Sequence, residues 1–216
     1  TTRFYTKEYK QMIDVLRERG SQLPDKYHYD KIYLSYTHKF LGRSRSFGEK
    51  SLERYFTSKG YIIVHPEDFS FIEQLGIYSH CSMFASTIGS CSHNIVFLPD
   101  NVEVILIPRA YYLTGYQVAL NELTKAPVHY IDSSLSIATN AESPWAGPWY
   151  FYISKGLTDF YGEKKEVADT LFRESIRDFH WYLAWWWLSE TQIPPKYYLQ
   201  NTLTEWKRYK QTTIYY

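Results

Sequence analysis

A stretch of small residues between an apolar strand and a predicted helix is the part of this sequence best suited to bind a phosphate. Its nine residues, Ser86 to Asn94, read STIGSCSHN. A loop of this kind offers backbone N–H groups and the positive end of a helix dipole to an anion. Gly89 would let the backbone approach a ligand closely, and Ser90, Ser92 and His93 would add hydrogen-bond donors. The ordinary alternative is a strand-to-helix turn in which Ser92 is the N-cap.

Two arginines follow another predicted strand and would reach the same edge of a parallel sheet. Arg43 and Arg45 lie in a polar loop, and a guanidinium can bind a phosphate through two parallel hydrogen bonds. His38, closer to the strand end, is an imidazole placed to transfer a proton. The alternatives are a solvated surface loop for the arginines and a structural role for His38. Together with the loop around Gly89, the pattern predicts a site for a diphosphate.

Five short β-rich runs, separated by helix-compatible segments, would position these residues. The runs begin about 20 to 30 residues apart, close to the length of a strand–helix–strand unit. They are residues 31–36, 61–64, 82–86, 104–107 and 128–131. This alternation predicts an α/β fold with a Rossmann-like parallel sheet and crossover helices.

Helix signals support this order of elements. Ser70 and Glu73 match a capping box, and Gly60 ends a helical pattern that begins after Phe47. Residues 5–20 predict an amphipathic helix before the sheet. We therefore expect three regions: an N-terminal helical segment over residues 1–30, a Rossmann-like nucleotide-sugar-binding domain over residues 31–135, and an aromatic-rich helical appendage over residues 136–216.

Composition restricts the partners and the compartment. Lys and Arg number 24 and Asp and Glu number 23, a balance that argues against nucleic acid as the partner. The sequence holds two cysteines and opens without a signal-peptide pattern, so we expect a reducing, cytoplasmic setting. The first residue is Thr1, and the sequence leaves open whether the chain is a piece of a longer protein.

The C-terminal third is rich in aromatic residues. The apolar run Trp181 to Leu188 is shorter than the roughly 20 residues of a membrane-spanning helix. The tail from Lys196 to Lys210 mixes basic and aromatic side chains. One interpretation places this tail at the membrane headgroup layer, on the inner face, where a lipid-linked acceptor would be found. The other has it pack against a further domain or a partner chain.

Metal and hydrolase sites are not expected from the cysteine and serine positions. Cys81 and Cys91 stand on opposite sides of a predicted strand, which would separate them by more than about 15 Å, too far to share one zinc ion. The segment Gly89 to His93 ends in histidine where a nucleophile elbow needs glycine. We therefore expect neither a metal nor a cofactor.

Four segments in order make the region from Ile32 to Asp132 resemble the C-terminal half of glycosyltransferase family 61. They are a strand, the arginine segment that ends at Glu49, the segment His65 to Gln74, and the loop from Gly89 to Asn94 that precedes an apolar run. Two positions depart from the family pattern. Ile88 and Ser90 flank Gly89 where the family has His-Gly-Ala, and Gly48 precedes Glu49 where the family has Asn-Glu.

This resemblance implies the donor-binding half of a metal-independent, inverting GT-B glycosyltransferase. Such an enzyme moves a sugar from a nucleotide-sugar donor to a glycan or lipid-linked glycan acceptor, here in surface or capsular polysaccharide synthesis. It implies a role for Glu49 in catalysis beside His38. The resemblance implies donor-binding roles for Arg45, Glu67, Gln74, Gly89 and Asn94, and the chemistry of the two loops adds Arg43, Ser90, Ser92 and His93 to the expected donor-binding residues. Glu67 and Gln74 would hold the ribose or the base, although Glu67 is equally suited to cap a loop.

Two other functions remain open from the sequence. The N-terminal half of a GT-B enzyme would come from an upstream segment or a partner chain. If it is missing, the chain would be a nucleotide-sugar-binding or scaffolding subunit without activity of its own. A third interpretation is an interaction module built around the tryptophan-rich helix, which would be indifferent to nucleotides.

Overall fold

The computed structural model of this chain describes residues 5–36, 46–109, 115–136, 149–164 and 179. His38, Arg43 and Arg45 lie outside these residues, as do the tryptophan-rich run and the basic-aromatic tail. The chain divides into two units. The first consists of Thr1–Leu41 and Glu53–Ile131, and the second of Gly42–Leu52 and Asp132–Tyr216. The three regions proposed from the sequence stay predictions.

The described helices and strands alternate along the first unit. The strands of the chain are β1 (Lys31–Leu34), β2 (Ser46–Phe47), β3 (Ile62–Val64), β4 (Met83–Thr87), β5 (Glu103–Ile107), β6 (Val128–Tyr130), β7 (Ser134–Ser136) and β8 (Trp149–Phe151). The α-helices are α1 (Lys7–Ser21), α2 (Glu49–Ser58), α3 (Phe71–His80), α4 (Gly115–Asn121) and α5 (Lys155–Phe160). Two 3-10 helices span Pro66–Asp68 and Ser92–Phe97.

The sheet of the first unit is parallel throughout, with the strand order β3-β1-β4-β5-β6. All five predicted strands are present, each within two residues of its predicted bounds. The α/β, Rossmann-like fold expected from the sequence is confirmed. The order is that of a doubly wound fold in which the first strand lies between the second and the third.

Alternate residues of β1 show how the sheet is covered on both faces. Ile32 and Leu34 belong to the hydrophobic cluster that also holds Ile13 of α1 and Ile77 of α3. Tyr33 points to the opposite face, as the two-residue repeat of a strand requires. Its ring stacks on Phe56 of α2 at 4.8 Å between centroids. A sheet buried on both faces needs apolar side chains at nearly every position, which the strands supply.

The helices begin and end at the predicted signals. Ser70 caps α3 in a complete capping box with Glu73. After α2, Gly60 has φ +84°, and the N–H groups of Gly60 and Tyr61 donate to the carbonyls of Thr57 and Phe56 at 3.0 Å each. This is a Schellman end, which favours glycine. Among the described residues, no helix has the length and hydropathy needed to cross a membrane.

The segment after Gly89 differs from its predicted form. The helix predicted here is a six-residue 3-10 helix, Ser92–Phe97, and its capping position is Cys91. The Asn94 side chain donates to the carbonyl of Cys91 at 3.1 Å, a local bond that competes with regular helix formation. Pro99 follows closely and cannot continue a helix. The alternative interpretation, in which Ser92 is the N-cap of this helix, is therefore wrong.

The second unit contains a small sheet in the order β2-β8-β7. β2 is parallel to β8, and β7 is antiparallel to it. Gly48 adopts φ +80°, and a methyl group there would lie 2.0 Å from the carbonyl oxygen of Phe151. Ser154 caps α5 and its hydroxyl lies 2.7 Å from that of Ser133. Because of its positive φ and the close approach of Phe151, position 48, immediately before α2, requires glycine.

Candidate functional site

The strand order places the carboxyl ends of β1, β4 and β5 side by side. From β1 the chain continues to β3 on one side, and it later returns to β4 on the other side of β1. The ends of β1 and β4 therefore form the switch point at which open α/β sheets bind ligands. Tyr36 follows β1, Gly89 follows β4 and Arg109 follows β5. We call Tyr36, Gly89 to His93 and Arg109 the switch-point cluster.

Gly89 provides space for two side chains of this cluster. Its φ is +155°, a region that L-residues rarely adopt. A methyl group at its α-carbon would lie 2.8 Å from both Arg109 Nη1 and Tyr36 Oη. The sequence predicts that this glycine lets a ligand approach the backbone. In the structure, the groups that approach it are an arginine and a tyrosine.

The turn around Gly89 is held by hydrogen bonds from inside the protein. The Gly89 N–H donates to Ser92 Oγ at 3.0 Å. The same hydroxyl lies 2.8 Å from the Gly89 carbonyl and 2.6 Å from Gln117 Oε1. The Cys91 N–H donates to the Tyr36 hydroxyl. Ser92 is fully buried, so its hydroxyl holds the turn from the protein interior.

A polar chain of hydrogen bonds continues from Ser92 to the edge strand β6. Gln117 on α4 is fully buried, and its amide nitrogen donates to Asn121 Oδ1 at 3.0 Å. Asn121 in turn donates to the hydroxyl of Tyr130 on β6. Burial of polar groups is tolerated when they are hydrogen-bonded in this way. The shape of the turn thus depends on residues well downstream of it.

Arg109 was missed by the sequence analysis. It is half-buried, and its guanidinium carbon lies 4.8 Å from the centroid of the Tyr36 ring. Nη2 lies 3.4 Å from Thr87 Oγ1, at the end of β4. Its only sequence signal is position, because Pro108 and Arg109 directly follow the apolar strand β5. Strand order is needed to bring that position beside Gly89.

His93, Ser90 and Asn94 surround the same turn. His93 is half-buried, and burial followed by the positive charge of Arg109 lowers the pKa of its imidazole below the usual range. Ser90 is exposed and its side chain hydrogen-bonds to Tyr36. Burial raises the pKa of the Tyr36 hydroxyl well above its usual value. Near neutral pH the imidazole and the phenol are therefore both uncharged, and the arginine is positive.

Glu67 and Gln74 lie at the carboxyl end of the edge strand β3. Glu67 is exposed in the 3-10 helix there. The Gln74 amide nitrogen donates to the carbonyls of Pro66 and Phe69 at 2.8 and 3.0 Å, and its oxygen accepts from Tyr78 at 3.1 Å. Gln74 thus ties the loop to α3. A role for either residue in binding the donor stays a prediction.

Glu49 and Glu53 occupy successive turns of α2. Glu49 is 4% exposed and belongs to the second unit, whereas Glu53 belongs to the first. Glu53 accepts a hydrogen bond of 2.6 Å from Ser35, which immediately follows β1. The sequence pattern indicates Glu49 and gives no signal for Glu53. The catalytic role of Glu49 stays a prediction.

Cys81 and Cys91 are both buried and reduced. Burial raises the pKa of the Cys81 thiol to about 12, so this sulfur is not a reactive thiolate. Among residues 5–36, 46–109, 115–136 and 149–164, no three His, Cys, Asp or Glu side chains form a group able to hold a metal ion.

Comparison with protein families yields one match. Residues 1–105 match the family model described as Glycosyltransferase 61. This range contains β1, β3, β4 and the turn at Gly89, and it ends within β5. Arg109 and Gln117 lie beyond it. No curated protein matches the chain.

Proposed function

Since residues 1–105 assign the chain to the glycosyltransferase 61 family, we propose that its switch-point cluster binds the diphosphate of a nucleotide-sugar donor. Glycosyl transfer is the activity of this family, with a nucleotide sugar as donor and a glycan as acceptor. The proposal adds the place on the chain where the donor's phosphates bind.

The single observation that carries the proposal is the position of the cluster. The ends of β1 and β4 are the point from which the chain winds in both directions along the sheet. At such a point the connecting segments diverge and leave a crevice for a ligand. Tyr36, Gly89 and Ser90 stand there, within the part of the chain that matches the family.

The chemistry of the reaction requires positive charge at this crevice. When the sugar leaves, negative charge develops on the diphosphate, and preorganised donors that meet this charge lower the barrier. We propose that side chains of the protein supply this charge without a bound metal. Donor binding by Arg43 and Arg45 stays a prediction from the sequence, and inversion at the sugar carbon is proposed from the family resemblance.

The acceptor and the pathway are proposed from the family alone. We propose a glycan or lipid-linked glycan hydroxyl as acceptor, in surface or capsular polysaccharide synthesis on the cytoplasmic side of the membrane. The N-terminal half of the GT-B enzyme would supply the acceptor site, either from another segment of the protein or from a partner chain.

A nucleotide panel tests the donor site directly. Thermal unfolding is followed with UDP, GDP, ADP and CDP, each beside its nucleoside. A ligand at 100 times its Kd stabilises the folded state by about 2.7 kcal/mol, so one diphosphate is expected to raise Tm clearly. If none of the four raises Tm, the proposed function is wrong. Binding without transfer from the matching sugar nucleotide to any glycan would favour the non-catalytic subunit.

A further inference from the structure

We propose that Arg109 binds the phosphates of the donor, and that Tyr36 and Gly89 hold its guanidinium in place. The inference rests on the proposed function and deepens it, because it names a phosphate-binding residue outside the stretch that matches the family. It also gives Gly89 a different task from the one predicted from the sequence.

Two contacts and a close approach to Gly89 fix the position of the guanidinium. Its carbon lies 4.8 Å over the Tyr36 ring, and Nη2 lies 3.4 Å from Thr87 Oγ1. Nη1 lies 2.8 Å from the point that a methyl group on Gly89 would occupy. These contacts come from the ends of β1 and β4. Arg109 itself follows β5, so its charged group reaches from the third strand to the crevice between the other two.

An arginine in this position is suited to a phosphate. Its guanidinium is planar, carries five N–H groups and stays positive at any pH at which proteins are folded. Stacking on an aromatic ring restricts the side chain, so that less conformational entropy is lost when an anion binds. A diphosphate offers oxygens at the spacing that a guanidinium meets with two hydrogen bonds.

Two main-chain amides of the turn already have partners within the protein. The Gly89 N–H donates to Ser92 Oγ and the Cys91 N–H donates to Tyr36. The 3-10 helix that follows has only six residues and provides little dipole. Net charge over the whole chain is only +1. Attraction of an anion to this crevice must therefore come from a local charge, which Arg109 provides.

The test compares three variants by isothermal titration calorimetry. Arg109→Gln removes the charge, Arg109→Lys keeps it, and Arg19→Gln is the matched control on the exposed end of α1. The ligands are the nucleoside diphosphate that gives the largest Tm increase with the wild type, the matching nucleoside, and inorganic pyrophosphate.

Arg109→Gln is expected to weaken diphosphate binding about 10- to 100-fold, as for one or two lost bonds to a charged group. Nucleoside binding is expected to change less than about twofold. Arg109→Lys is expected to lose less affinity than Arg109→Gln, because it keeps the charge but not the planar, stacked guanidinium, and Arg19→Gln is expected to lose none. The lysine variant keeps the charge and most of the side-chain volume. It can therefore replace the glutamine variant in this test if that variant does not fold.

The outcomes separate this inference from the function beneath it. Unchanged diphosphate affinity in Arg109→Gln, or an equal loss for nucleoside and diphosphate, would overturn the role of Arg109 and leave the donor site standing. Pyrophosphate binding that depends on Arg109, without binding of any nucleotide, would support the anion site and overturn the donor function. If the wild type binds neither, both proposals are wrong.

Discussion

The carboxyl edge of the five-stranded sheet carries polar side chains at two places that use them differently. At the end of β3, the Gln74 amide nitrogen donates to the carbonyls of Pro66 and Phe69, and its amide oxygen accepts from Tyr78. At the ends of β1, β4 and β5, side chains from three strands converge, and one of them carries a permanent charge. Position at the carboxyl edge of the sheet places polar residues where a ligand can bind. Their hydrogen-bond partners decide whether they stabilise the fold or remain available to a ligand.

Replacement of Gly89 by alanine is expected to have the largest effect. The new methyl group would lie 2.8 Å from Arg109 Nη1 and Tyr36 Oη, and the backbone would be strained. Backbone strain and overpacking each cost about 1 to 3 kcal/mol. We therefore expect a marked loss of stability in denaturant unfolding and at least a tenfold loss of nucleoside diphosphate affinity.

Gly60→Ala is the matched control for that variant. Gly60 also has a positive φ, but no atom lies within 4 Å of its missing side chain. This control carries backbone strain alone and is expected to leave nucleotide affinity unchanged. Equal effects of the two substitutions on affinity would contradict the assignment of Gly89 to the switch-point cluster.

Gln74→Ala tests the other side of the comparison. Removal of the amide leaves two carbonyls and the Tyr78 hydroxyl without this partner, and such losses cost about 1 to 3 kcal/mol. Denaturant unfolding should register that loss, while calorimetry should find diphosphate affinity within about twofold of wild type. A loss of affinity without a loss of stability would return Gln74 to the donor site, as the family resemblance implies.

The smallest effect is expected from Glu73→Gln at low pH. Hydrogen bonds from Tyr27, Lys26 and Ser70 lower the pKa of the Glu73 carboxyl to about 2, from an ordinary 4.5. A lowered pKa means that the stabilisation is complete above about pH 4.5 and is lost as the pH falls towards 2. Wild type and variant should therefore differ in Tm at neutral pH and converge over this acid range. A difference in Tm between wild type and variant that stays constant from pH 7 to pH 2 would contradict the lowered pKa of Glu73.

Patterns within a few residues predict most of the first unit. The capping box at Ser70 and Glu73, the helix end at Gly60 and the five apolar strands depend on neighbours in sequence, and the structure confirms each of them. A helix after Gly89 is also predicted, but its 3-10 form is not. The alternative interpretation of the sequence makes the Ser92 hydroxyl the cap of this helix. That hydroxyl instead contacts Gln117, 25 residues later in the chain.

The composition of the cluster is harder to predict for the same reason. Glycine at position 89 is visible in the sequence, but its neighbours are Tyr36 and Arg109, which come from two other strands. A single arginine after a strand has no distinctive local signal, and only the order β1-β4-β5 makes it a neighbour of Gly89. Arg43 and Arg45 were easier to select because they form a pair in a polar loop.

The hydrogen bonds inside the turn have a consequence for how tightly anything is held there. In a pocket of free main-chain amides, the backbone dipoles themselves would supply the positive field for an anion. Here the amides of Gly89 and Cys91 already face protein oxygens, and the attraction falls to a charged side chain that is only half-buried. Dissolved ions weaken long-range attraction but act much less on a partly buried group in direct contact, so rising salt would slow the arrival of an anion at this turn more than it would loosen one already bound.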